Sequence, residues 1–258
     1  MPGREEKAIA KACRWLLVVP IAPQDLDRHV LRLFALAVSR ASPAQLQRCA
    51  RLLPEFTWFQ YHGDPVAALI GERALKSVGH VHSGLAALKE GYRSLLTGEA
   101  QSLPLLCRLL EMETSFAGEL NPPSAFALVT APRERVLEFC RDVTMATCGG
   151  TESIAIHEAA QLLPRLAFSY ARDWDIEVAS SVMRACVYLN CEREPACQWT
   201  LEWLLDQQQA DGRFGLLQAE AKKCGWSAED WCPHFDRTVH ALWTLSELTG
   251  KSGLRVAG

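Results

Sequence analysis

Residues 203–215 read WLLDQQQADGRFG. An apolar helical stretch runs into three glutamines, then an Asp-Gly pair, then Phe-Gly. Asp211-Gly212 accepts a positive φ without strain. A glutamine side chain can satisfy carbonyls left open at a helix end. Phe214 can pin the loop back onto the core. The stretch therefore predicts a built turn and not a frayed helix terminus.

Outward from this turn the chain reads as helix throughout. Apolar residues recur at helical spacing in Leu31, Leu33, Phe34, Leu36 and Ala37, in Val136, Leu137, Phe139, Cys140 and Val143, and in Val239, Leu242, Trp243, Leu245 and Leu248. Ile176, Val178, Ala179, Val182, Met183, Cys186 and Val187 make another such face. Breakers divide these runs at Pro20–Pro23, Ser42-Pro43, Gly63–Pro65, Gly98, Pro122-Pro123, Gly149-Gly150, Pro195 and Asp211-Gly212. Eleven or twelve helices result, grouped in consecutive pairs of roughly 40 residues. Paired helices at this period build an open superhelical solenoid or a closed barrel of inner and outer helices.

The bulk properties set limits. The 258 residues are 49% hydrophobic and 22% charged, with a net charge of -3, as in ordinary globular chains. Basic residues are dispersed, so no nucleic-acid or acidic-membrane partner is expected. No apolar run is long enough for a membrane span, and Ala12–Ala22 reads as a buried helix and not a signal peptide. Ten cysteines are scattered, mostly on apolar helical faces, where a thiol acts as a small hydrophobe. A reduced, cytoplasmic protein is the expectation.

The turn Gln208-Gln-Ala-Asp211-Gly212-Arg-Phe214-Gly215 resembles the Gln-x-x-Asp-Gly-x-Phe/Trp turn of the α/α-toroid superfamily, which includes terpenoid cyclases and the β subunits of protein prenyltransferases. Cys197–Leu205 and Arg237–Leu245 resemble the same repeats. The likeness implies an all-α fold, a single α/α toroid of paired inner and outer helices over residues 1–258. Small single-toroid bacterial proteins of unsettled role are also similar to the chain.

Three candidate sites follow. In Asp173-Trp174-Asp175-Ile176-Glu177 the likeness to class II cyclases implies Asp175 as a protonating acid with Asp173 as its partner, whereas acids at a helix start read first as caps. Ile176 stands where those cyclases carry aspartate. Trp174, Glu177 and His157 would line the substrate. The second site is Asp230-Trp231-Cys232 with His240 or His234. It resembles the prenyltransferase zinc site, and Cys224 is an additional ligand candidate. The third, His157-Glu158, lacks the second histidine of a helical zinc motif because Gln161 stands there. No Cys-His dipeptide is present, as lanthionine cyclases require. In Cys148-Gly149-Gly150-Thr151 the glycines are expected to end one helix, with Thr151 capping the next.

The functional expectation is an apolar small molecule or peptide bound in a central cavity, with cyclase-like or transferase-like chemistry in bacterial specialised metabolism. The alternative is a non-catalytic scaffold holding a partner protein or leader peptide. The two separate on whether Asp173 and Asp175 enter a cavity or cap a helix.

Overall fold

The computed structural model describes residues 3–95, 104–112, 125–154, 157–215 and 230–250. Among them are twelve α-helices and no strand: α1 (Arg4–Leu16), α2 (Leu26–Val38), α3 (Pro43–Leu52), α4 (Pro65–Ser77), α5 (Ser83–Leu95), α6 (Pro104–Leu109), α7 (Ala125–Val129), α8 (Arg133–Ala146), α9 (His157–Arg172), α10 (Ile176–Tyr188), α11 (Pro195–Asp206) and α12 (Cys232–Leu248). A 3-10 turn spans Trp58–Gln60. No helix of the described residues is long and apolar enough to cross a membrane.

The even-numbered helices touch in order, α2 to α4, α4 to α6, α6 to α8, α8 to α10 and α10 to α12. Helix α12 then returns to α2, so the order of contacts is cyclic. Odd-numbered helices pack outside this cycle: α3 against α2 and α4, α5 against α4, α9 against α10 and α11, and α1 against α12, α11 and α2. Sequence explains which helix goes where. Every residue of α10 except Glu177 is buried, whereas α3 buries only Leu46, Cys49 and Ala50. A helix apolar on all sides needs neighbours on all sides.

A backbone repeat accompanies the cycle. Each even-numbered helix is followed, two residues past its last helical residue, by a left-handed residue: Arg40, Gly79, Glu111, Cys148, Asn190 and Gly250. For the first five, the next amide reaches back to a carbonyl in the last turn, as Ala41 does to Leu36 and Cys191 to Cys186, both at 2.9 Å. These are helix-ending motifs that satisfy otherwise open carbonyls.

The turn at 203–215 closes the seam between the two ends of the chain. Gln208 Nε2 donates to Ala8 O at 2.8 Å and to Gly212 O at 3.0 Å. Gln209 N reaches Arg213 O at 2.9 Å, and Gln208 and Phe214 form an isolated antiparallel bridge. Phe214 is wholly buried, its amide donating to Thr238 Oγ1 at 2.9 Å and its carbonyl facing His234 Nδ1 at 3.2 Å. One loop thereby joins α1 to α12. Gly212 has φ +107°, and a Cβ there would stand 2.4 Å from Lys11 O. Only glycine fits both demands.

The nine described cysteines are free thiols, seven of them buried, in keeping with their reading as small hydrophobes; Cys224 lies outside the described residues. One expectation is corrected. Cys148, Gly149 and Gly150 do end α8, all with positive φ, but Thr151 does not cap α9, which begins at His157. Its hydroxyl instead donates back to Cys148 O at 3.1 Å and accepts from Arg108 at 2.6 Å.

Candidate ligand-binding site

The starts of α2, α4 and α10 carry capping carboxylates. Asp25 caps α2, accepting from Arg28 N at 3.3 Å and from Arg28 Nη1 at 2.7 Å. Asp64 caps α4 through Val66 N at 2.8 Å. Asp175 caps α10 through Val178 N at 3.1 Å, while its other oxygen accepts from Arg133 Nε at 2.8 Å. Arg133 opens α8 and also pairs with Glu177. The hydrogen bond to Asp175 is the first cause that holds the Arg133 pKa above its ordinary value. Acids suit the positive end of a helix dipole, and the starts of α4, α8 and α10 form a rim through Asp64, Arg133, Asp175 and Glu177.

Below this rim is a cavity of about 200 Å³ lined from four even-numbered helices: Asp64 and Val66 of the α4 start, Leu137, Cys140, Arg141, Thr144 and Met145 of α8, Glu177, Ser181 and Arg184 of α10, and His240 and Trp243 of α12. Cys232, Asp236, His240 and Trp243 follow one another at helical intervals along α12. Burial pushes the Asp236 carboxyl up, with Arg28 opposing and Glu177 adding to the shift.

Arg184 is buried and carries the densest set of contacts. Its Nη1 donates to His240 O at 3.1 Å and Thr244 Oγ1 at 2.9 Å. Its Nη2 donates to Ser181 Oγ at 3.0 Å and His240 Nδ1 at 3.2 Å. The guanidinium carbon lies 4.0 Å from the Trp243 ring centroid, a cation–π contact. Because an arginine can only donate, His240 Nδ1 must accept, and the imidazole proton sits on Nε2. Burial first, then Arg184 and Arg133, push the His240 pKa down to about 3.

Ser181 Oγ stands 3.4 Å from His240 Nδ1, and His240 Nε2 is 3.7 Å from Glu177 Oε1. This resembles a Ser–His–acid relay in outline only. The nitrogen that would take the serine proton is already accepting from a guanidinium, and so strongly depressed an imidazole is no general base near neutral pH. The Ser181 hydroxyl itself donates to Glu177 O at 2.9 Å.

The residues singled out from sequence divide between this site and its surroundings. Glu177 and His240 line the cavity. Asp175 sits at the rim as a helix cap with both oxygens accepting. Asp173 and Trp174 are exposed on the outside of the α9–α10 turn, where Trp174 takes φ +62° and meets the edge of Trp203 at 6.2 Å. His157 opens α9, and its side chain lies outside the described residues. Asp230 and Cys232 are exposed at the start of α12. His240 lies eight residues further along the same helix, about 12 Å of rise. His234 is turned instead to Phe214 O. No group of three His, Cys, Asp or Glu among the described residues is placed to hold a metal. Arg184, Ser181 and Arg133 went unread in sequence, and Trp243 was read only as part of an apolar helical face. The one available signal was an arginine inside the otherwise apolar run Val182–Val187.

Asp175→Ala should lower unfolding stability by about 1 kcal/mol through the lost cap. Asp175→Asn, whose amide oxygen still accepts from Val178, should lose less. Urea denaturation of the two variants checks this, and an unchanged Asp175→Ala midpoint would remove the capping role.

No family model matches the chain, and neither does any curated protein or solved structure.

Proposed function

We propose that the chain is a single α/α toroid whose central cavity binds a small molecule, and that it is a binding protein in which Asp175 has no acid-catalytic part. The observation that carries this reading is the cavity of about 200 Å³ lined from α4, α8, α10 and α12. The cyclic order of helix contacts supports a closed arrangement over an open solenoid. Its walls combine Val66, Leu137, Met145 and Trp243 with a few converging polar groups, the usual composition of a ligand site.

Size narrows the ligand. A dry cavity of about 150 Å³ accommodates benzene, and drug-sized ligands occupy about 300–1,000 Å³. The fit is to a compact molecule a little larger than benzene, smaller than a long isoprenoid chain or a folded peptide. Binding without catalysis is favoured by the use of the candidate acid as a cap and by the neutral, arginine-bonded state of His240.

Ligand-observed NMR with a library of compact compounds tests the reading. Wild-type protein should bind members of the library, and Val66→Phe, which places a ring in the cavity, should lose them while remaining folded. Equal binding by both proteins would move the site elsewhere, and a library silent on the wild type would favour a scaffold for a partner protein or leader peptide.

A further inference from the structure

We infer that the cavity selects a small organic carboxylate, with Arg184 as its counter-charge; the inference rests on the cavity-binding reading above. Arg184 is 4% exposed and stands on the cavity wall. The acceptors of its four Nη bonds are a carbonyl, two hydroxyls and a neutral imidazole. Among the described residues no carboxylate lies within ion-pair distance of it.

Two carboxylates reach Arg184 electrostatically without an ion-pair contact. Glu247 accepts from Tyr188 OH at 2.8 Å and Trp243 Nε1 at 3.1 Å. Glu177 pairs with Arg133 at the rim. A guanidinium this deeply buried without a contacting anion is costly, and burial accordingly lowers its pKa. A ligand carboxylate in the adjoining cavity adds negative charge closer to it.

His240 supplies the second recognition element. With Nδ1 accepting from Arg184, its Nε2 proton is a donor on the cavity wall, and Glu177 Oε1 at 3.7 Å is too far to take it as a hydrogen bond. One carboxylate oxygen can accept that proton while the group lies in the field of Arg184. Val66, Leu137, Met145 and Trp243 then cover an apolar body, which an inorganic anion lacks.

Benzoate, its neutral isostere benzamide, benzylamine and inorganic phosphate are suitable probes, each titrated calorimetrically at neutral pH into the wild type, Val66→Phe and Arg184→Met. Benzoate should bind the wild type about tenfold or more tightly than benzamide, the scale of one charge-assisted contact. Arg184→Met should bring the two to equal affinity, and Val66→Phe should lose both. The wild-type comparison needs no variant, so it decides the matter even where Arg184→Met does not fold. Benzamide equal to benzoate, or benzylamine preferred, would overturn the carboxylate assignment and leave the cavity reading standing. Phosphate as tight as benzoate would overturn the organic body. If neither benzoate nor benzamide binds the wild type, this inference fails, while the fate of the cavity reading is decided separately by the NMR library.

Discussion

Phe214→Ala should lower unfolding stability by about 4 kcal/mol, the usual cost of emptying a fully buried aromatic site. For a chain of this size that corresponds to a melting temperature lower by roughly 10 °C. The reason lies in where the ring sits. Phe214 is wholly buried in a loop bonded on one side to Ala8 of α1, through Gln208, and on the other to His234 and Thr238 of α12. Truncation leaves a void at the seam between α1 and α12. Gly215→Ala should be damaging by a different route, because a Cβ there would fall 1.9 Å from His234 Nδ1 and the residue holds φ +153°. Phe59→Ala is the control: Phe59 is 70% exposed, and its loss should stay within about 0.5 kcal/mol. Urea midpoints for the three variants decide the point. A Phe214→Ala midpoint as mild as that of Phe59→Ala would mean the turn only terminates α11.

This turn was readable in sequence because its chemistry is local. Asp211-Gly212 announces a positive φ and Phe214 an anchor, and both lie within one short stretch. The helices were readable for a similar reason, since a 3.6-residue period is written into each segment. Asp175 was legible as a cap from its place before an apolar run. The cyclic order was not legible, because it lies in contacts between helices far apart in sequence, and the helix ends carry no shared side-chain signal. Arg40, Gly79, Glu111, Cys148, Asn190 and Gly250 share a left-handed φ and almost nothing in side-chain chemistry. The cavity was hidden for another reason. Val66, Leu137, Arg184 and His240 come one from each of four helices, so no spacing rule connects them. His240 was read toward zinc by its nearness in sequence to Cys232, yet the helix carries the two to different levels, with Asp236 between them.

Stability should fall as the pH is lowered from about 6.5 to 5, and buried histidines are the cause. His29, His82, His234 and His240 all have pKa values lowered by burial first. A group depressed in the folded state contributes stability that is complete above its unfolded pKa of about 6.5 and is lost as the pH falls toward the folded value. For His240 that lower limit is about 3. Between pH 6.5 and 5 this residue alone accounts for about 2 kcal/mol. Geometry gives the same sign. His240 Nδ1 accepts from Arg184, and His82 Nδ1 accepts from Leu85 N at 3.4 Å while its Nε2 lies 3.1 Å from Pro54 O. A second proton on either ring removes an acceptor; on His82 it also strips a partner from the start of α5. Asp142 and Asp236, whose carboxyls are raised by burial, act with the opposite sign, returning stability as they protonate. The loss from the histidines begins near pH 6.5 and steepens toward pH 5, as the unfolded rings take up protons that the folded ones do not. Urea denaturation at pH 7.5 and pH 5 measures it, and His240→Gln and His82→Gln should each flatten the difference by removing one titrating ring. Equal midpoints at the two pH values would show that these rings are charged in the folded protein, and the donor–acceptor assignment at Arg184 would fall with them.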